Sequence, residues 1–190
     1  DVSSAVKILI FMTLLSIAPA ILITMTCFTR IVIVFSFIRQ ALGVHTSPPN
    51  QVLVGLSLFI TLFVMSPVFN QMNERAIKPF RANTISADVA LTEGLEPLRR
   101  FMYAQTRDSD LALMLKLSKQ QKPATFAELS TVVLIPAYII SELKTAFEIG
   151  FLIYIPFVLI DMLIAMLLLT MGMMMLPPVM ISLPFKLLIF

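Results

Sequence analysis

The chain has 190 residues, of which 58% are hydrophobic and only 13% charged, with a mean hydropathy of +0.95. Soluble domains are about 25% charged, so this composition argues against a water-soluble enzyme. The net charge of +3 is too small and too scattered along the chain to indicate nucleic-acid binding. With one cysteine and one histidine, the chain cannot form an internal disulfide or a multi-histidine metal cluster.

The amino-terminal segment, residues 1–72, predicts two hydrophobic helices joined as a hairpin. Its first uncharged apolar run extends from Ile8 to Phe28. The apolar pattern continues between Arg30 and Arg39, so we expect one long helix from about Ile8 to Leu42. Because such a helix is longer than a bilayer requires, it must tilt strongly or pack partly against protein.

A tight turn is predicted between these two helices. Gly43 suits a left-handed helix stop, Ser47 can cap the following helix, and Pro48 can occupy its first turn. The second helix carries the apolar run from Val52 to Phe69. A spanning helix needs about 20 apolar residues, so both helices are predicted to be membrane spans.

The central segment, residues 73–124, differs in composition and predicts short amphipathic helices. Nine of the 14 Lys and Arg residues and six of the 11 Asp and Glu residues lie between Glu74 and Lys122. Apolar residues recur there at helical spacing, which indicates two or three helices lying on a protein or membrane surface. A solvated connector that packs only on itself fits the same pattern. The predicted helix starts are Ser86, Glu96 and Asp108–Asp110, and the predicted stops are Gly94 and Lys122-Pro123.

The carboxy-terminal segment, residues 125–190, predicts a second hydrophobic hairpin. A capping box from Thr125 to Glu128 precedes an apolar pattern that reaches about Met171. A break at Gly172 and Pro177-Pro178 then turns the remaining chain back.

Four prolines lie inside the apolar runs and are expected to kink or break their helices. They are Pro19, Pro67, Pro136 and Pro156. Backbone groups in lipid must be paired within their own segment, so helices are the expected form. The predicted fold class is therefore all-α: two kinked hydrophobic helical hairpins joined by short amphipathic helices in a single structural unit.

Three charged residues of the last segment stand out because they lie in apolar stretches. Asp161 has no charged neighbour in sequence between Glu148 and Lys186. A buried carboxylate is costly unless it is paired, whereas Lys144 and Glu148 can pair with each other at i,i+4. We therefore expect Lys186 to pair with Asp161 or Glu142, across a subunit boundary. The alternatives are a proton relay and charges that extend to a membrane surface.

The run Met171-Gly172-Met173-Met174-Met175 lies on the predicted break between the last two helices. Thioether side chains are flexible and fill irregular space. A non-helical loop at membrane depth is tolerated only against protein or a water-filled cavity. Repeated around an oligomer axis, adjacent methionines would form a deformable hydrophobic constriction. Ordinary core filling explains the same residues.

The sequence contains no recognisable catalytic or cofactor motif. It lacks a His-Glu-x-x-His metalloprotease motif, a Gly-x-Ser-x-Gly nucleophile elbow and a phosphate-binding Gly-x-x-x-x-Gly-Lys loop. His45 is most simply a polar turn residue, and Arg99-Arg100 a solvated helix face. The residues therefore predict a non-enzymatic membrane protein without a cofactor or metal. Two other functions fit the same residues. One is a small transporter or channel that acts alone, and the other is a membrane-bound scaffold without a pore.

Several stretches resemble the FliP family of flagellar type III secretion export-gate proteins. The segment PAYIISELKTAFEIGF, from Pro136 to Phe151, resembles the signature of that family. The run MGMMMLPPVMISLPFKLL, from Met171 to Leu188, resembles its second conserved region. In the first hairpin, TRIVIVFSFIRQALG and SPPNQVLVGL match as well, so the resemblance covers nearly the whole chain. The family pattern continues past Lys186 with more apolar residues and a Gly-Trp pair, which implies further chain beyond Phe190.

The resemblance implies a non-enzymatic pore component of the flagellar basal body in the bacterial inner membrane. Several copies, five in the family's usual picture, would assemble with FliQ and FliR into a helical, tapered ring, with FlhB and FlhA as neighbours. Unfolded flagellar export substrates would pass through it, with no nucleic acid involved. Family members are usually made with a cleaved signal peptide, which fits a chain that starts at Asp1 without a charged leader. Much of the complex would lie on the periplasmic side, so that sister subunits as well as membrane lipid cover the helices.

The resemblance also assigns roles to particular residues. By position, Met173–Met175 resemble the family's methionine gasket, which lines the closed pore. Glu142 and Lys186 match charged positions in the family motifs, and Asp161 lies in the apolar helix between them. For these three residues the resemblance implies ion pairing between subunits and gating.

Overall fold

A computed structural model describes residues 2–44, 46–120, 123, 125–172 and 176–189 of the chain. Every regular element in these ranges is helical and none is a strand, which confirms the predicted all-α class. In chain order the elements are α1 (Val2–Met25), α2 (Phe28–Ala41), α3 (Asn50–Met72), a π-helical turn (Asn73–Ile77), α4 (Lys78–Arg81), α5 (Ala87–Gln105), α6 (Asp108–Leu117), a 3₁₀ turn (Phe126–Glu128), α7 (Thr131–Thr170) and α8 (Pro178–Ile189).

The chain divides into two compact units, each of which gathers segments that are distant in sequence. The first unit comprises Asp1–Thr29 and Ile60–Leu143, and the second comprises Arg30–Phe59 and Lys144–Phe190. The long helices α3 and α7 therefore contribute residues to both units. The predicted organisation in three segments follows composition along the sequence and stays a prediction.

The core of the first unit is built on the amphipathic helices of the central segment. Leu111 and Leu115 of α6 pack with Met102 of α5 and with Leu134 and Tyr138 from the first turns of α7, and all five side chains are buried. The i,i+4 spacing within α6 and α7 places each pair on one helix face. Burial of side chains of this size stabilises a fold by about 1.5–3 kcal/mol each, so these contacts hold the connecting helices against α7.

The boundaries of the central helices agree only in part with the sequence pattern. Ser86 caps α5 as predicted, because its hydroxyl accepts a hydrogen bond from the amide three residues later at 3.5 Å. Asp108 begins α6, also as predicted. Gly94 and Glu96, however, lie inside α5 and neither end nor start a helix. A Cβ on Gly94 would lie 3.3 Å from the Cβ of Ala76 in the π-helical turn, so this glycine permits a close approach of two elements.

The first hydrophobic helix is broken, which corrects the prediction of one helix from Ile8 to Leu42. The α1 helix ends at Met25 and α2 begins at Phe28. The hydroxyl of Thr26 donates to the carbonyl of Leu22 and accepts a hydrogen bond from the amide of Phe28 at 3.3 Å. A side chain that satisfies backbone groups locally competes with continuation of the helix, so Thr26 accounts for the break.

The four prolines do not interrupt their helices. All four lie inside α1, α3 or α7, and α7 continues for 40 residues across Pro136 and Pro156. The expected interruption of α7 at these two residues is therefore wrong. A proline removes a single backbone donor, whereas unwinding a helix in apolar surroundings would leave several backbone groups unpaired.

The α7 helix begins at Thr131 and not at the predicted capping box. The capping-box residues form only a 3₁₀ turn, and among the described residues the side chain of Thr125 caps nothing. A guanidinium nitrogen of Arg99 donates to the carbonyl of Leu129, which withdraws that carbonyl from a helical ladder. The same guanidinium lies 5.2 Å from the centroid of the Phe126 ring. Arg99 is thus part of the fold, which corrects its interpretation as a solvated residue. The predicted stop at Lys122-Pro123 includes Lys122, which lies outside the described residues.

The first residues of the turn after α2 have the predicted conformation. Gly43 has a φ of 75°, which confirms the left-handed helix stop, and its amide bonds to the carbonyl of Gln40 at 2.9 Å. The α3 helix begins at Asn50, and the carbonyl of Pro49 accepts its first hydrogen bonds. Ser47 therefore lies too far ahead of the helix to cap it, which corrects that prediction.

In the second unit, α2 packs against α7 around an aromatic contact. The rings of Phe37 and Phe147 meet edge to face, with centroids 5.8 Å apart. Gly150 lies one turn after Phe147, and a Cβ at this position would lie 2.6 Å from Cγ of Phe37. The absence of a side chain at Gly150 is therefore what allows the two helices to approach.

Replacing Gly150 with alanine is expected to destabilise the protein by about 1–3 kcal/mol, the usual cost of overpacking. The added methyl group would overlap the Phe37 ring and force it away from Phe147. Gly55→Ala is the matched control, because no described atom lies within 4 Å of a Cβ at that position in α3. That variant should be neutral or slightly stabilising. Thermal unfolding of both variants in one detergent tests this, and equal midpoints would contradict the close packing of α2 on α7.

Candidate functional site

Two of the predicted charged residues form an ion pair within the second unit. Lys186 lies in the last turn of α8 and Asp161 lies on α7. The Nζ atom of Lys186 is 2.7 Å from Oδ2 of Asp161. The lysine side chain is only 2% exposed, and that of the aspartate is 28% exposed. An ammonium buried to this extent does not reach a water-facing surface in this fold.

The ammonium of Lys186 has a second acceptor at the end of α2. Its Nζ donates to the carbonyl of Ala41, the last residue of that helix, at 2.9 Å. The last carbonyls of a helix have no partner within the helix and carry a partial negative charge. A cation is therefore favourable here. Gly43 makes room for α8, because a Cβ on it would lie 2.8 Å from Cγ1 of Val179.

The carboxylate of Asp161 also has a second partner. Its Oδ1 accepts a hydrogen bond from the hydroxyl of Ser182, which is buried on α8 one turn before Lys186. Hydrogen bonds to a charged group are about twice as strong as those between neutral groups. The two arms of the α7–α8 hairpin are thus joined by a carboxylate that both an ammonium and a hydroxyl hold in place.

The ion pair closes inside one chain, whereas the sequence pattern predicts a pair across a subunit boundary. The partners are 25 residues apart in sequence, and α8 folds back far enough along α7 to bring them together. Such a closed cluster fixes the positions of three helix segments. Within the described ranges, no group of three or more His, Cys, Asp or Glu side chains is placed to hold a metal ion.

The third predicted charged residue, Glu142, belongs to the first unit, where it is buried on α7. Next to it in sequence lies a polar cluster that the sequence pattern does not reveal. The hydroxyl of Ser141 donates to Oδ2 of Asp110 at 2.8 Å and accepts a hydrogen bond from the amide of Arg107 at 3.0 Å. Asp110 and Ser141 are both buried. The sequence marks Asp110 only as part of a helix start, and nothing in it indicates a partner 31 residues away.

The predicted gasket residues Met173–Met175 lie outside the described residues, as does His45. The residues next to the methionines are described. Met171 is exposed at the end of α7, and Gly172 has a φ of 73°. This left-handed glycine ends α7 at the predicted break.

The chain has long apolar helices with little of their surface covered. Asn50–Arg81, with 32 residues, and Thr131–Thr170, with 40, are each long and apolar enough to cross a membrane. The bent pair Pro19–Met25 and Phe28–Ala41 makes a third candidate if it is counted as one span. Only 22% and 11% of the most apolar windows of the two long helices are buried. These features are consistent with a location in a membrane.

The family comparison decides the assignment. The FliP family model matches residues 11–190. The chain belongs to the FliP family. It is 55% identical over 190 residues to the flagellar biosynthetic protein FliP of Bacillus subtilis, a match that covers 100% of this chain and 86% of the relative. It is 51% identical over 186 residues to the protein of the same name from Pectobacterium carotovorum, covering 98% of this chain and 72% of the relative. The corresponding protein of Borreliella burgdorferi is 45% identical over 193 residues, covering 100% and 76%.

Membership of the FliP family confirms the resemblance that the two long motifs indicate. It makes the chain a flagellar biosynthetic protein and a component of the flagellar export apparatus. No enzyme family is indicated by these matches.

In this FliP-family chain, Asp161→Asn is expected to lower the free energy of unfolding by about 3–5 kcal/mol, the cost of leaving a buried charge unpaired. The double variant with Lys186→Met should recover part of this loss, because the unpaired ammonium is then absent. Lys78→Met is the control. It removes the exposed pair with Glu74 and should cost less than about 0.5 kcal/mol. Unfolding in detergent of Asp161→Asn, Lys186→Met and the double variant tests the pair. If the loss in the double variant equals the sum of the two single losses, the two residues are not coupled.

Proposed function

We propose that this FliP-family chain is a pore-forming subunit of the flagellar protein export gate, and that it passes unfolded flagellar subunits across the inner membrane. The observation that carries the proposal is the length of α7. Its 40 residues make a helix about 60 Å long, about twice the 30 Å of a hydrocarbon core. Lipid cannot cover such a helix along its whole length. Its first turns pack on α5 and α6 of the same chain, whereas its most apolar part is only 11% buried and is free to contact other protein.

The outer face of α7 in the second unit has the character of a protein contact surface. Large apolar side chains are exposed along it, among them Phe151, Leu159 and Leu163. The opposite face buries Phe157 and Ile164, which are seven residues apart. Exposed apolar patches much larger than a few hundred Å² mark interaction sites or membrane contacts. In the proposed assembly of five copies, this face contacts sister copies together with FliQ and FliR, and FlhB and FlhA lie nearby.

The ion pair supports a gating role for the loop between α7 and α8. Asp161 and Lys186 join the two arms of this hairpin, one on each side of Met173–Met175 in sequence. A ring of such loops would place thioether side chains on the pore axis, where they can change rotamer as a polypeptide passes. Because Asp161 is still partly exposed, a donor from a neighbouring copy can reach it. Glu142, buried in the first unit, is proposed as the second charged contact between subunits.

Cysteine cross-linking tests whether copies of the chain meet along α7. In a background with Cys27→Ala, Leu163→Cys is expected to give a ladder of cross-linked species up to about five copies with a short bismaleimide in membranes. Ile164→Cys is the matched control. It is the next residue but only 8% exposed, and it should give no ladder. If the Leu163→Cys protein stays monomeric after cross-linking, the result would favour a small transporter acting alone.

Replacing Met173, Met174 and Met175 together with alanine is expected to make the membrane leak ions or small solutes, because smaller side chains cannot close the constriction. Membrane conductance, or entry of a small dye, measures the leak. Met166→Ala is the control, since this methionine lies on the exposed face of α7 and away from the loop. Conductance equal to that of the unmodified protein would contradict the gasket.

A further inference from the structure

The first unit contains an apolar cavity that neither the charge pair nor the proposed pore uses. Its volume is about 230 Å³, and it lies between α1, α3 and α5. The six lining residues are Ile21, Leu22, Thr26, Phe69, Met72 and Leu98.

The chemistry of the cavity favours an apolar occupant over water. Thr26 is the only lining side chain with a hydroxyl, and this group already bonds to the Leu22 carbonyl and the Phe28 amide. A bound water needs two to four polar partners, which these side chains do not supply. The cavity opens to the surface of the unit and its lining is almost entirely apolar, so it suits a hydrocarbon chain.

The surroundings of the cavity indicate which hydrocarbon reaches it. Phe69 and Met72 lie at the end of the uncharged run in the candidate span Asn50–Arg81. Basic residues follow at once: Arg75 and Arg81 are both exposed, and they come within nine residues of Met72. Lys78, which lies between them, pairs with Glu74. Exposed basic residues next to a membrane span attract anionic lipid headgroups. Arg75 follows the lining residue Met72 by about one turn of continuous helical backbone, so its charge is close in sequence to the apolar cavity.

We propose that the cavity binds one acyl chain of an anionic phospholipid, whose headgroup lies beside Arg75. The apolar lining holds the acyl chain, and the exposed guanidinium attracts the phosphate. The site depends only on the first unit being embedded in a membrane and not on the pore-forming role.

Photo-labelling tests the site. The full chain is reconstituted in nanodiscs with phosphatidylglycerol that carries a diazirine on one acyl chain, and the labelled residues are mapped by mass spectrometry. We expect label on Phe69, Met72 or Leu98. Leu22→Phe fills the cavity and should reduce this label about five-fold or more. Ile23→Phe is the matched control, since Ile23 is the next residue, exposed and not part of the lining.

Three results would overturn the proposal. The first is no label at the cavity, and the second is equal label in the Leu22→Phe and Ile23→Phe proteins. The third is loss of headgroup selectivity, seen when phosphatidylcholine carrying the same diazirine labels equally and Arg75→Gln leaves the phosphatidylglycerol labelling unchanged. If Leu22→Phe fails to fold, Leu98→Phe fills the cavity from α5 and carries the same expectation. The cross-linking ladder and the conductance are separate readouts, so loss of the lipid site is distinguishable from failure of the export role.

Discussion

One buried ammonium group fixes the second unit. The Nζ atom of Lys186 bonds to the carboxylate of Asp161 on α7 and to the carbonyl of Ala41 at the end of α2, so a single cation joins three helix segments. Removing one partner of a buried pair costs about 3–5 kcal/mol, which makes sliding of α8 along α7 costly. The two arms of the α7–α8 hairpin are therefore held against each other at this contact.

The outer surface differs from that of a soluble protein, because it is rich in large apolar side chains while several small hydroxyl side chains are buried with the apolar core. Ser57, Thr61, Ser141 and Ser182 are fully buried, while large apolar residues cover much of the outer surface. Small hydroxyl side chains allow helices to approach and can satisfy backbone carbonyls, as Ser57 does with the carbonyl of its own helix four residues back, at 2.7 Å. This arrangement is stable only where lipid or other protein replaces water on the outside. Because the 40 residues of α7 make a helix about twice as long as a hydrocarbon core is thick, lipid alone cannot cover its outer surface.

Local chemistry in the sequence predicts local features well. The left-handed stop at Gly43 and the cap at Ser86 follow from single residue types, and the all-α class follows from hydrophobic periodicity. The start of α7 does not follow, because Arg99 reaches the Leu129 carbonyl from 30 residues away. The contact of Asp110 with Ser141 is hidden for the same reason. For the Lys186 pair, the sequence indicates that a partner is needed but cannot say whether it comes from the same chain.

The unequal burial of the ion pair limits how the proposed gate can move. Lys186 is almost completely enclosed and bonded to α2 as well as α7, so a neighbouring subunit cannot compete for it. Asp161 is more exposed, and its charge can be shared with a further donor from outside. In the proposed gate, a rearrangement of this hairpin would therefore occur on the carboxylate side of the pair, while α8 stays attached to the Ala41 carbonyl. In the proposed assembly the cation is then the fixed point of the hairpin, and the carboxylate is the part of the pair that sister subunits would reach.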